Sequence, residues 1–362
     1  RKHGRIVVLG GGVLGLEAAR ALAARGTAVT VVHPVDRLME RQADAGGGRI
    51  LAAAMRRIGV DVELGAGASR WESGQGLWLL PPGGTPPGPR PAKPDGAGVR
   101  LIRATGMLVS TGAIPDAGLA RDAGLRLTES GAVAVDDTLA TSGPRVYAIG
   151  DCAGHPGAVG GLVQPGWEQA AVLASRLTGT DPRARYRGST IVTRLKAVGI
   201  ELTCLGDGLC EDPDYEIIRF EDPVRERYAK LVIDGDRIAG AIMIGLPDAA
   251  AGITQLYDRG APAPADRLAL LLGRALPPDP DGTGAGGSGP AALPDHAIVC
   301  RCNMVTKATL RDAWYRGASC ARELSAATRA ATGCGTCGDD VAAIATWLTT
   351  LDPSDRKEAL CT

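Results

Sequence analysis

Four cysteines near the C-terminus have the residue types and spacing of a metal site. Cys300 and Cys302 form a C-x-C pair, and Cys334 and Cys337 form a C-x-x-C pair after 31 intervening residues. Thiolates are ligands for soft metals and for iron–sulfur clusters. Glycines flank the second pair, so backbone N–H groups can approach a cluster, and a predicted helix follows whose positive end would face it. We predict that these cysteines bind one [2Fe–2S] cluster.

Structural zinc is the main alternative, because four thiolates also bind Zn²⁺ tetrahedrally. Zinc sites more often have C-x₂₋₄-C spacing in both halves, and the C-x-C half therefore favours an iron–sulfur cluster. Two disulfides are a further alternative. Cys320 falls on a predicted helix between the two pairs and is interpreted as a core thiol. Cys204 and Cys210 could also form a disulfide.

A glycine-rich turn near the N-terminus has the pattern that binds a dinucleotide. Gly10, Gly12 and Gly15 form G-x-G-x-x-G between a predicted strand at 5–10 and a predicted helix at 13–25. The first glycine permits the tight turn, the second lets the backbone approach a pyrophosphate, and the third lets helix and strand pack closely. The helix N-terminus attracts the phosphate charge. The alternative is a glycine-rich turn in an unrelated α/β fold.

The residue that would contact the ribose departs from the usual pattern. A second predicted strand, 28–33, ends in His33, where Asp or Glu normally binds the ribose hydroxyls of NAD. Arg37 is close enough in sequence to contact the 2′-phosphate of NADP, and an ordinary surface arginine is the alternative. We expect His33 to lie in the nucleotide site, and the choice between NADH and NADPH stays open.

Strands and helices alternate in the first part of the chain, which indicates a parallel sheet. A predicted helix at 47–58 and a predicted strand at 60–64 continue the alternation. Segment 81–98 is rich in Pro and Gly and predicts a surface loop between two strands. A strand near 106–111 then leads to Gly112.

The pattern changes after this point. Segment 133–150 predicts two short strands, the second running directly into Asp151, and a helix follows at 166–177. A strand-rich stretch with tight turns then predicts an antiparallel sheet, with helices near 249–258 and 265–274. Segment 277–294 has the composition of a linker.

Composition excludes several classes of protein. The 362 residues carry 40 Lys and Arg against 40 Asp and Glu, so charge indicates neither nucleic acid nor an anionic membrane as a partner. No apolar run reaches the roughly 18 residues of a membrane-spanning helix, and the N-terminus lacks the pattern of a signal peptide. A cytoplasmic location is expected.

The phrase LGGGVLGLEAA around the glycine-rich turn resembles the NAD(P)H-binding domain of two-dinucleotide flavoprotein reductases. The resemblance implies that Glu17 lies near the nicotinamide and that Gly112 belongs to the turn that returns the chain to the flavin domain. VYAIGDC at 146–152 resembles the second FAD contact of the same family. Gly150 and Asp151 would then contact the ribityl or pyrophosphate region, and a turn or cap residue is the alternative for Asp151.

A helix beginning near Pro165 would point its positive end at the flavin ring, with Gln164, Trp167 and Gln169 on that approach. In this family an earlier domain binds the ADP half of FAD. The resemblance therefore implies either that residues before Arg1 are missing, which we favour, or that the flavin site is defective. No segment that could hold siroheme is expected, and no side chain is assigned a catalytic role.

The cysteine module resembles the bacterioferritin-associated ferredoxin-like [2Fe–2S] domain, and segment 185–207 resembles the domain that follows the flavin domain. This arrangement is similar to that of NAD(P)H-dependent assimilatory nitrite reductase large subunits and assimilatory nitrate reductase electron-transfer subunits. The fold class it implies is α/β, a partial Rossmann-like flavoprotein reductase followed by an α+β domain and a small helical [2Fe–2S] domain. We expect a nucleotide domain at 1–115, part of a flavin domain at 116–184, the α+β domain at 185–276 and the cluster domain at 295–352.

The function implied is electron transfer from NADH or NADPH through FAD and the cluster to a siroheme nitrite reductase or a molybdenum nitrate reductase component. One alternative is a reductase for a rubredoxin, a ferredoxin or an oxygenase. Another is a metal-binding interaction module without enzymatic activity.

Overall fold

The computed structural model describes residues 4–80, 99–157, 160–197, 200–273, 289–300, 303–333, 335 and 337–351. The predicted loop at 81–98 and most of the predicted linker lie outside these residues. The chain divides into two compact units, the first formed by residues 1–112 and 190–277 and the second by residues 113–189 and 278–362. The predicted division into domains at 1–115, 116–184, 185–276 and 295–352, and the role given to each domain, stay predictions.

The first 112 residues form a four-stranded parallel sheet and a smaller antiparallel sheet. The parallel sheet has the order β3-β2-β1-β7, and β4, β5 and β6 form the antiparallel sheet between β3 and β7 in sequence. The elements are β1 (Ile6–Leu9), α1 (Val13–Ala24), β2 (Val29–His33), α2 (Ala45–Arg57), β3 (Val60–Leu64), β4 (Ala68–Glu72), β5 (Gly76–Leu79), β6 (Arg100–Arg103) and β7 (Gly106–Val109). The predicted βαβ alternation and parallel sheet are confirmed.

The next segment, 113–189, has little regular structure before its long helix. Its elements are α3 (Gly118–Asp122), β8 (Val133–Ala134), β9 (Ala153–Gly154) and α4 (Val163–Leu177). The predicted second strand leading into Asp151 is wrong. Among the described residues, the pairing of this stretch is a single bridge between Ala140 and Tyr147, and a 3₁₀ turn over Gly150–Cys152 follows. Without a neighbouring strand to bond its N–H and C=O groups, the apolar run cannot form a ladder.

Segment 190–273 forms a five-stranded antiparallel sheet with the order β10-β11-β14-β13-β12, covered by helices. The elements are β10 (Val192–Ala197), β11 (Ile200–Gly206), β12 (Glu216–Asp222), β13 (Arg227–Asp234), β14 (Arg237–Ile244), α5 (Pro247–Arg259) and α6 (Arg267–Leu271). The antiparallel sheet and both helices were predicted. Cys204 faces the core and Cys210 is partly exposed, and neither is in a disulfide, so the predicted alternative of a bond between them is wrong.

The C-terminal module is a short hairpin followed by three helices. Its elements are β15 (Ile298–Cys300), β16 (Val305–Thr306), α7 (Lys307–Tyr315), α8 (Ala321–Thr328) and α9 (Gly338–Leu351). Thr306 caps α7 by accepting a hydrogen bond from the backbone N–H of Thr309 at 3.2 Å. Leu310, Leu324 and Ile344 pack in the core that these helices enclose. None of the described helices is long and apolar enough to cross a membrane.

One buried contact joins the parallel and antiparallel sheets of the first unit. Asp44 caps α2 by accepting from the N–H of Gly47 at 2.9 Å, and its other oxygen accepts from the Tyr228 hydroxyl at 2.6 Å. A Cβ at Gly46 would lie 2.6 Å from the Tyr228 ring, so the glycine permits this approach. The apolar faces of α2 and of strands β11, β13 and β14 form one core. Asp44 is therefore both a helix cap and a tie between two sheets.

Two carboxylates of the first unit have pKa values shifted in opposite directions. Partial burial on α1 raises the pKa of Glu17, since desolvation disfavours its charged form. Glu63 on β3 accepts two hydrogen bonds from Arg100, at 2.9 and 2.7 Å, and these bonds lower its pKa. Glu17 thus binds its proton more tightly in the folded chain than in the unfolded one, and Glu63 binds it less tightly.

We predict that Asp44→Ala lowers the free energy of unfolding by about 2 kcal/mol, because it removes a cap and a buried hydrogen bond. Tyr228→Phe removes only the second and should cost about 1 kcal/mol. Asp266→Ala is the matched control, since Asp266 caps α6 through the N–H of Ala269 and should cost about 1 kcal/mol. Chemical denaturation of the full chain measures each loss. Equal losses for the two aspartates would contradict the double role.

We predict that Glu17→Gln raises the free energy of unfolding at pH 7 and that this gain shrinks as the pH falls towards 4.5, the ordinary pKa of the group. The sign follows because the folded state binds more protons than the unfolded state, so the wild type loses stability as the pH rises.

Glu63→Gln should do the opposite, lowering stability at pH 7 and losing its effect below pH 4.5. Denaturation midpoints measured from about pH 3 to pH 8 test both, because the effect at Glu63 is lost only below the ordinary pKa. Parallel pH profiles for the two variants would refute the assignment.

Candidate functional site

The glycine-rich turn has the geometry that its three glycines predict. Gly10 has a φ of +118°, and a Cβ there would lie 2.0 Å from the carbonyl oxygen of Ser110. A Cβ at Gly15 would lie 2.2 Å from the carbonyl oxygen of Gly10, so α1 packs directly on the end of β1. A Cβ at Gly12 would meet nothing within 4 Å. The backbone at Gly12 is thus open to a ligand, and its binding of a pyrophosphate stays a prediction.

The segment that follows β2 folds back onto this turn. The N–H of Gly11 donates to Nδ1 of His33 at 3.1 Å, and the carbonyl oxygen of Gly11 accepts from the N–H of Met39 at 3.0 Å. A Cβ at Gly11 would lie 2.8 Å from both the His33 ring and the Leu38 side chain. Residue 11 must therefore be glycine for the turn and this segment to pack.

His33 has both ring nitrogens engaged within the protein. It is 6% exposed, and its Nε2 lies 2.9 Å from Oε2 of Glu40. Because Nδ1 accepts from Gly11, the neutral ring carries its proton on Nε2 and donates it to the carboxylate. The structure thus places His33 beside the turn, as predicted, but leaves no ring nitrogen for a ribose hydroxyl.

Glu40 is a residue of this site that the sequence analysis missed. It comes seven positions after the end of β2, outside the position where the usual pattern places an acidic residue. Its pairing with His33 depends on the fold of the intervening residues, so no spacing rule would have found it. Arg37, considered for a 2′-phosphate, instead donates to the carbonyl of Ala43 at 3.3 Å and to Asp36 at 3.0 Å.

Two further predicted nucleotide residues lie in the same unit. Glu17 is on α1, one turn after Gly12, and is partly buried. Gly112 follows the end of β7, is exposed and has a φ of +94°, with nothing within 4 Å of a Cβ built on it. The nicotinamide and flavin roles of these two residues stay predictions.

The predicted flavin-side residues lie in the second unit around the start of α4. Gly150 has a φ of +76°, and its N–H donates to Oε1 of Gln169 at 2.7 Å. Asp151 is exposed and accepts from the N–H of Gly161 at 2.9 Å. Gly150 and Gly166 approach closely, since a Cβ at Gly166 would lie 3.5 Å from the Gly150 Cα. The structure therefore brings the segment around Gly150 against the first turn of α4.

Helix α4 begins at Val163, two residues before Pro165, near which it was predicted to begin, and the side chain of its N-cap residue Leu162 makes no capping hydrogen bond. Gln164 donates to Glu168 at 2.9 Å, while Trp167 is 43% exposed. Gln169 is 1% exposed, and its Nε2 has no hydrogen-bond partner among the described residues. A buried donor without an acceptor is costly. An uncapped positive helix end and an unused donor beside Gly150 fit the electron-rich part of a flavin.

Two of the four predicted cluster ligands lie within the described residues. Cys300 ends β15 and is 1% exposed, and Cys337 directly precedes α9 and is 6% exposed. Both belong to the core of the C-terminal module. Cys302 and Cys334 lie outside the described residues, which accordingly hold no complete group of three or more metal ligands. Two buried thiols in one core, with Cys337 directly before the N-terminus of α9, fit a thiolate-bound metal.

Cys320 does not have the role that its sequence position suggested. It precedes α8 at the N-cap position, is only partly buried and is disulfide-bonded. The interpretation of Cys320 as a core thiol on a helix is therefore wrong. The helix begins one residue later, at Ala321, so Cys320 lies at its N-cap position and not on the helix itself.

The carbonyl of Arg329 links the two halves of the cysteine module. It accepts from Nδ2 of Asn303, which follows the first cysteine pair, at 2.6 Å. It also accepts from the Thr332 hydroxyl, which precedes the second pair, at 2.8 Å. The Arg329 guanidinium lies 5.9 Å from the centre of the Trp167 ring. Arg329 therefore contacts α4 with its side chain and both cysteine-bearing segments with its backbone.

Three family models match successive parts of the chain. Residues 1–174 match the pyridine nucleotide-disulphide oxidoreductase family, residues 192–259 the rubredoxin NAD+ reductase C-terminal domain and residues 298–346 the BFD-like [2Fe-2S] binding domain. The first match spans the predicted nucleotide domain and most of the predicted part of a flavin domain, and the predicted boundaries between domains stay predictions. Pyridine nucleotide, FAD and a [2Fe–2S] cluster are accordingly the cofactors of this class of protein.

Several curated proteins are similar over nearly the whole chain. The nitrite reductase [NAD(P)H] large subunit of Klebsiella oxytoca is 34% identical over 92% of this chain and 33% of its own length. The nitrite reductase [NAD(P)H] of Bacillus subtilis is 32% identical over 100% of this chain and 42% of its own length. The assimilatory nitrate reductase electron transfer subunit of Bacillus subtilis is 28% identical over 92% of this chain and 40% of its own length. The chain thus spans about two fifths or less of the length of these relatives.

Solved structures share the fold at lower sequence identity. The covalent putidaredoxin reductase–putidaredoxin complex has a TM-score of 0.56 and 22% identity, over 73% of this chain and 60% of that one. Reduced CoADR-RHD of Bacillus anthracis has a TM-score of 0.58 and 21% identity, over 72% and 48%. Taken with the family models, these structures show that the chain has the fold of a pyridine nucleotide-disulphide oxidoreductase, with a C-terminal segment that matches a BFD-like [2Fe-2S] binding domain.

Proposed function

We propose that the chain is the electron-transfer part of an NAD(P)H-dependent nitrite or nitrate reductase. The observation that carries this proposal is the contact between Trp167 of α4 and Arg329 of the cysteine module, within one compact unit. Electrons that enter at a nicotinamide arrive in pairs, and a metal cluster accepts them singly. A segment at the flavin and a segment at the cluster must therefore lie close together, and these two residues are in contact.

The first unit supplies the binding of the nicotinamide nucleotide. Gly12 leaves the backbone open for the pyrophosphate, and the uncapped N-terminus of α1 attracts its charge. Gly10 and Gly15 hold the turn against the end of β7 and the start of α1. The chain's contribution here is to position the nucleotide, since the hydride chemistry belongs to the cofactors.

The second unit supplies the surroundings of the flavin and the ligands of the cluster. The start of α4 and the Nε2 of Gln169 would stabilise negative charge near Gly150. Cys300 and Cys337 are positioned by the apolar core around them, and Cys302 and Cys334 complete the predicted ligand set. When bound, the two groups would supply hydride acceptance at FAD and one-electron exchange at the [2Fe–2S] cluster.

Arg329 carries a positive charge next to the predicted cluster segments. Its backbone carbonyl holds the residues adjoining both cysteine pairs, and its guanidinium stacks towards the exposed face of Trp167. A cation in this place lowers the electrostatic cost of a negatively charged thiolate cluster. It also attracts the aromatic ring, and so keeps α4 and the cysteine module in contact.

A second candidate function has its own support. The match of residues 192–259 to the rubredoxin NAD+ reductase C-terminal domain, and the shared fold with putidaredoxin reductase, favour a reductase for a small electron-carrier protein. The relatives that match over most of the chain have nitrite or nitrate reductase names, which favours a siroheme or molybdenum component as the acceptor.

We predict that Cys300→Ser and Cys337→Ser each lower the iron content of the reconstituted full-length protein by at least half and abolish its EPR signal after dithionite. Each variant removes one thiolate of the cluster. Cys210→Ser is the matched control, because Cys210 lies in the antiparallel sheet unit and should leave iron unchanged. One zinc per chain and no EPR signal in the wild type would identify a zinc module instead.

The acceptor is tested by following NADH oxidation with the full-length protein and one added acceptor at a time. We expect a siroheme nitrite reductase component with nitrite, or a molybdenum component with nitrate, to accelerate NADH oxidation at least tenfold over the protein alone. If a rubredoxin or a ferredoxin accelerates NADH oxidation and neither reductase component does, the second candidate function is supported. Lack of NADH oxidation even with ferricyanide would refute both oxidoreductase functions.

A further inference from the structure

We propose that Glu40, held in place by His33, is the residue that binds the ribose hydroxyls and selects NADH over NADPH. The inference deepens the proposed function, because it requires the glycine-rich turn to bind a nicotinamide dinucleotide. The usual acidic residue at the end of β2 is absent, since His33 occupies that position. The structure brings a carboxylate from further along the chain to 2.9 Å from the ring that occupies this position.

The segment that carries Glu40 is fixed to the nucleotide turn by hydrogen bonds to both backbone groups of one residue, Gly11. Gly11 donates its N–H to His33 and accepts at its carbonyl oxygen from the N–H of Met39, the residue before Glu40. Leu38 and Met39 are fully buried beneath this contact. Met39 has a φ of +51°, a left-handed conformation that the surrounding packing must maintain. Glu40 therefore cannot move independently of the turn that would bind the pyrophosphate.

His33 acts as a positioning residue between the turn and the carboxylate. One ring nitrogen accepts from Gly11, and the other donates to Oε2 of Glu40 at 2.9 Å. The rigid imidazole ring therefore fixes the distance between the turn and the Glu40 carboxylate. In the usual pattern, an Asp or Glu at the end of β2 holds its own carboxylate next to the turn. The imidazole is buried, so water does not compete for either hydrogen bond.

Glu40 retains an oxygen that can bind a ligand. Its side chain is 28% exposed, and Oε1 accepts no hydrogen bond from the described residues. A carboxylate is an acceptor only, so it binds the two hydroxyls of an NADH ribose. The same negative charge repels the 2′-phosphate of NADPH. Glu40 thus has one oxygen held by His33 and one oxygen open to the ligand. This arrangement gives the preference for NADH that an Asp or Glu at the end of β2 gives in the usual pattern.

The cations nearby do not reverse this preference. Arg37 is turned away, because its guanidinium donates to the carbonyl of Ala43 and to Asp36. Arg41 is exposed directly after Glu40, and it is the residue that would have to bind a 2′-phosphate if the preference were for NADPH. A ribose contact by Glu40 predicts a preference for NADH, and a phosphate contact by Arg41 predicts a preference for NADPH. Binding measurements on variants of each residue decide between the two.

The test is the equilibrium binding of NAD+ and NADP+ to the purified full-length protein, measured by isothermal titration calorimetry. Oxidised nucleotides bind without turnover, so the readout does not depend on the flavin or the cluster passing electrons. The wild type should bind NAD+ at least tenfold more tightly than NADP+. Glu40→Gln should weaken NAD+ about tenfold and should not weaken NADP+, because a charged hydrogen bond and a repulsion are both lost.

Asp36→Asn is the matched control, since Asp36 is an exposed carboxylate of the same segment whose bond goes to Arg37. It should change the ratio of the two dissociation constants by less than twofold.

Two substitutions of His33 separate its hydrogen bond to Gly11 from its hydrogen bond to Glu40. His33→Gln keeps a donor for Glu40 and should preserve the ratio better than His33→Asn, which keeps only an acceptor for Gly11.

The outcomes distinguish this inference from the proposed function. Tighter binding of NADP+ by the wild type, lost in Arg41→Gln, would overturn the role of Glu40. An unchanged ratio in Glu40→Gln would also overturn it, and the retained thermal unfolding midpoint of that variant shows that its fold is intact. Failure of the wild type to bind either nucleotide would instead remove the nucleotide site on which the proposed function depends.

Discussion

The close approach of the backbone at Gly10 and Gly15 is the constraint on which the nucleotide unit depends. A side chain at either residue would collide with a carbonyl oxygen, so helix α1 can start against the ends of β1 and β7 only if both lack one. That contact fixes the direction of α1 and brings Gly12 to the carboxyl edge of the sheet. The segment after β2 then packs on Gly11, and its carboxylate is set by the same turn.

The antiparallel sheet depends on the parallel one through helix α2. One face of α2 covers the parallel sheet, and the other contacts Ile242 and Tyr228 of the antiparallel sheet. Asp44 couples these contacts, because the carboxylate that begins the helix also accepts from the tyrosine. Three consecutive glycines at the start of α2 weaken the helix by their backbone entropy. They allow this close packing, so tertiary contacts compensate for poor helix propensity.

Periodicity and glycine spacing predicted the fold well, because each element has an apolar pattern of its own. The βαβ unit and the antiparallel sheet are local signals of this kind. The apolar run before Gly150 predicted a strand and gave none, since strand formation depends on a partner that the local sequence does not contain. His33 was recognised from its position, but its bond to Glu40 arises from a left-handed residue at Met39 that no pattern indicates.

The burial of Cys300 and Cys337 links the folding of the C-terminal module to the metal it is predicted to bind. A neutral thiol packs like a small apolar side chain, so both cysteines can occupy the core before iron is present. Ligation requires thiolates, and a buried negative charge is costly unless a metal and backbone N–H groups compensate for it. The apolar core therefore positions two of the four sulfurs in advance. The positive end of α9, which Cys337 directly precedes, would offset the negative charge of a thiolate-bound metal. Metal binding and the stability of the module would then form a single equilibrium.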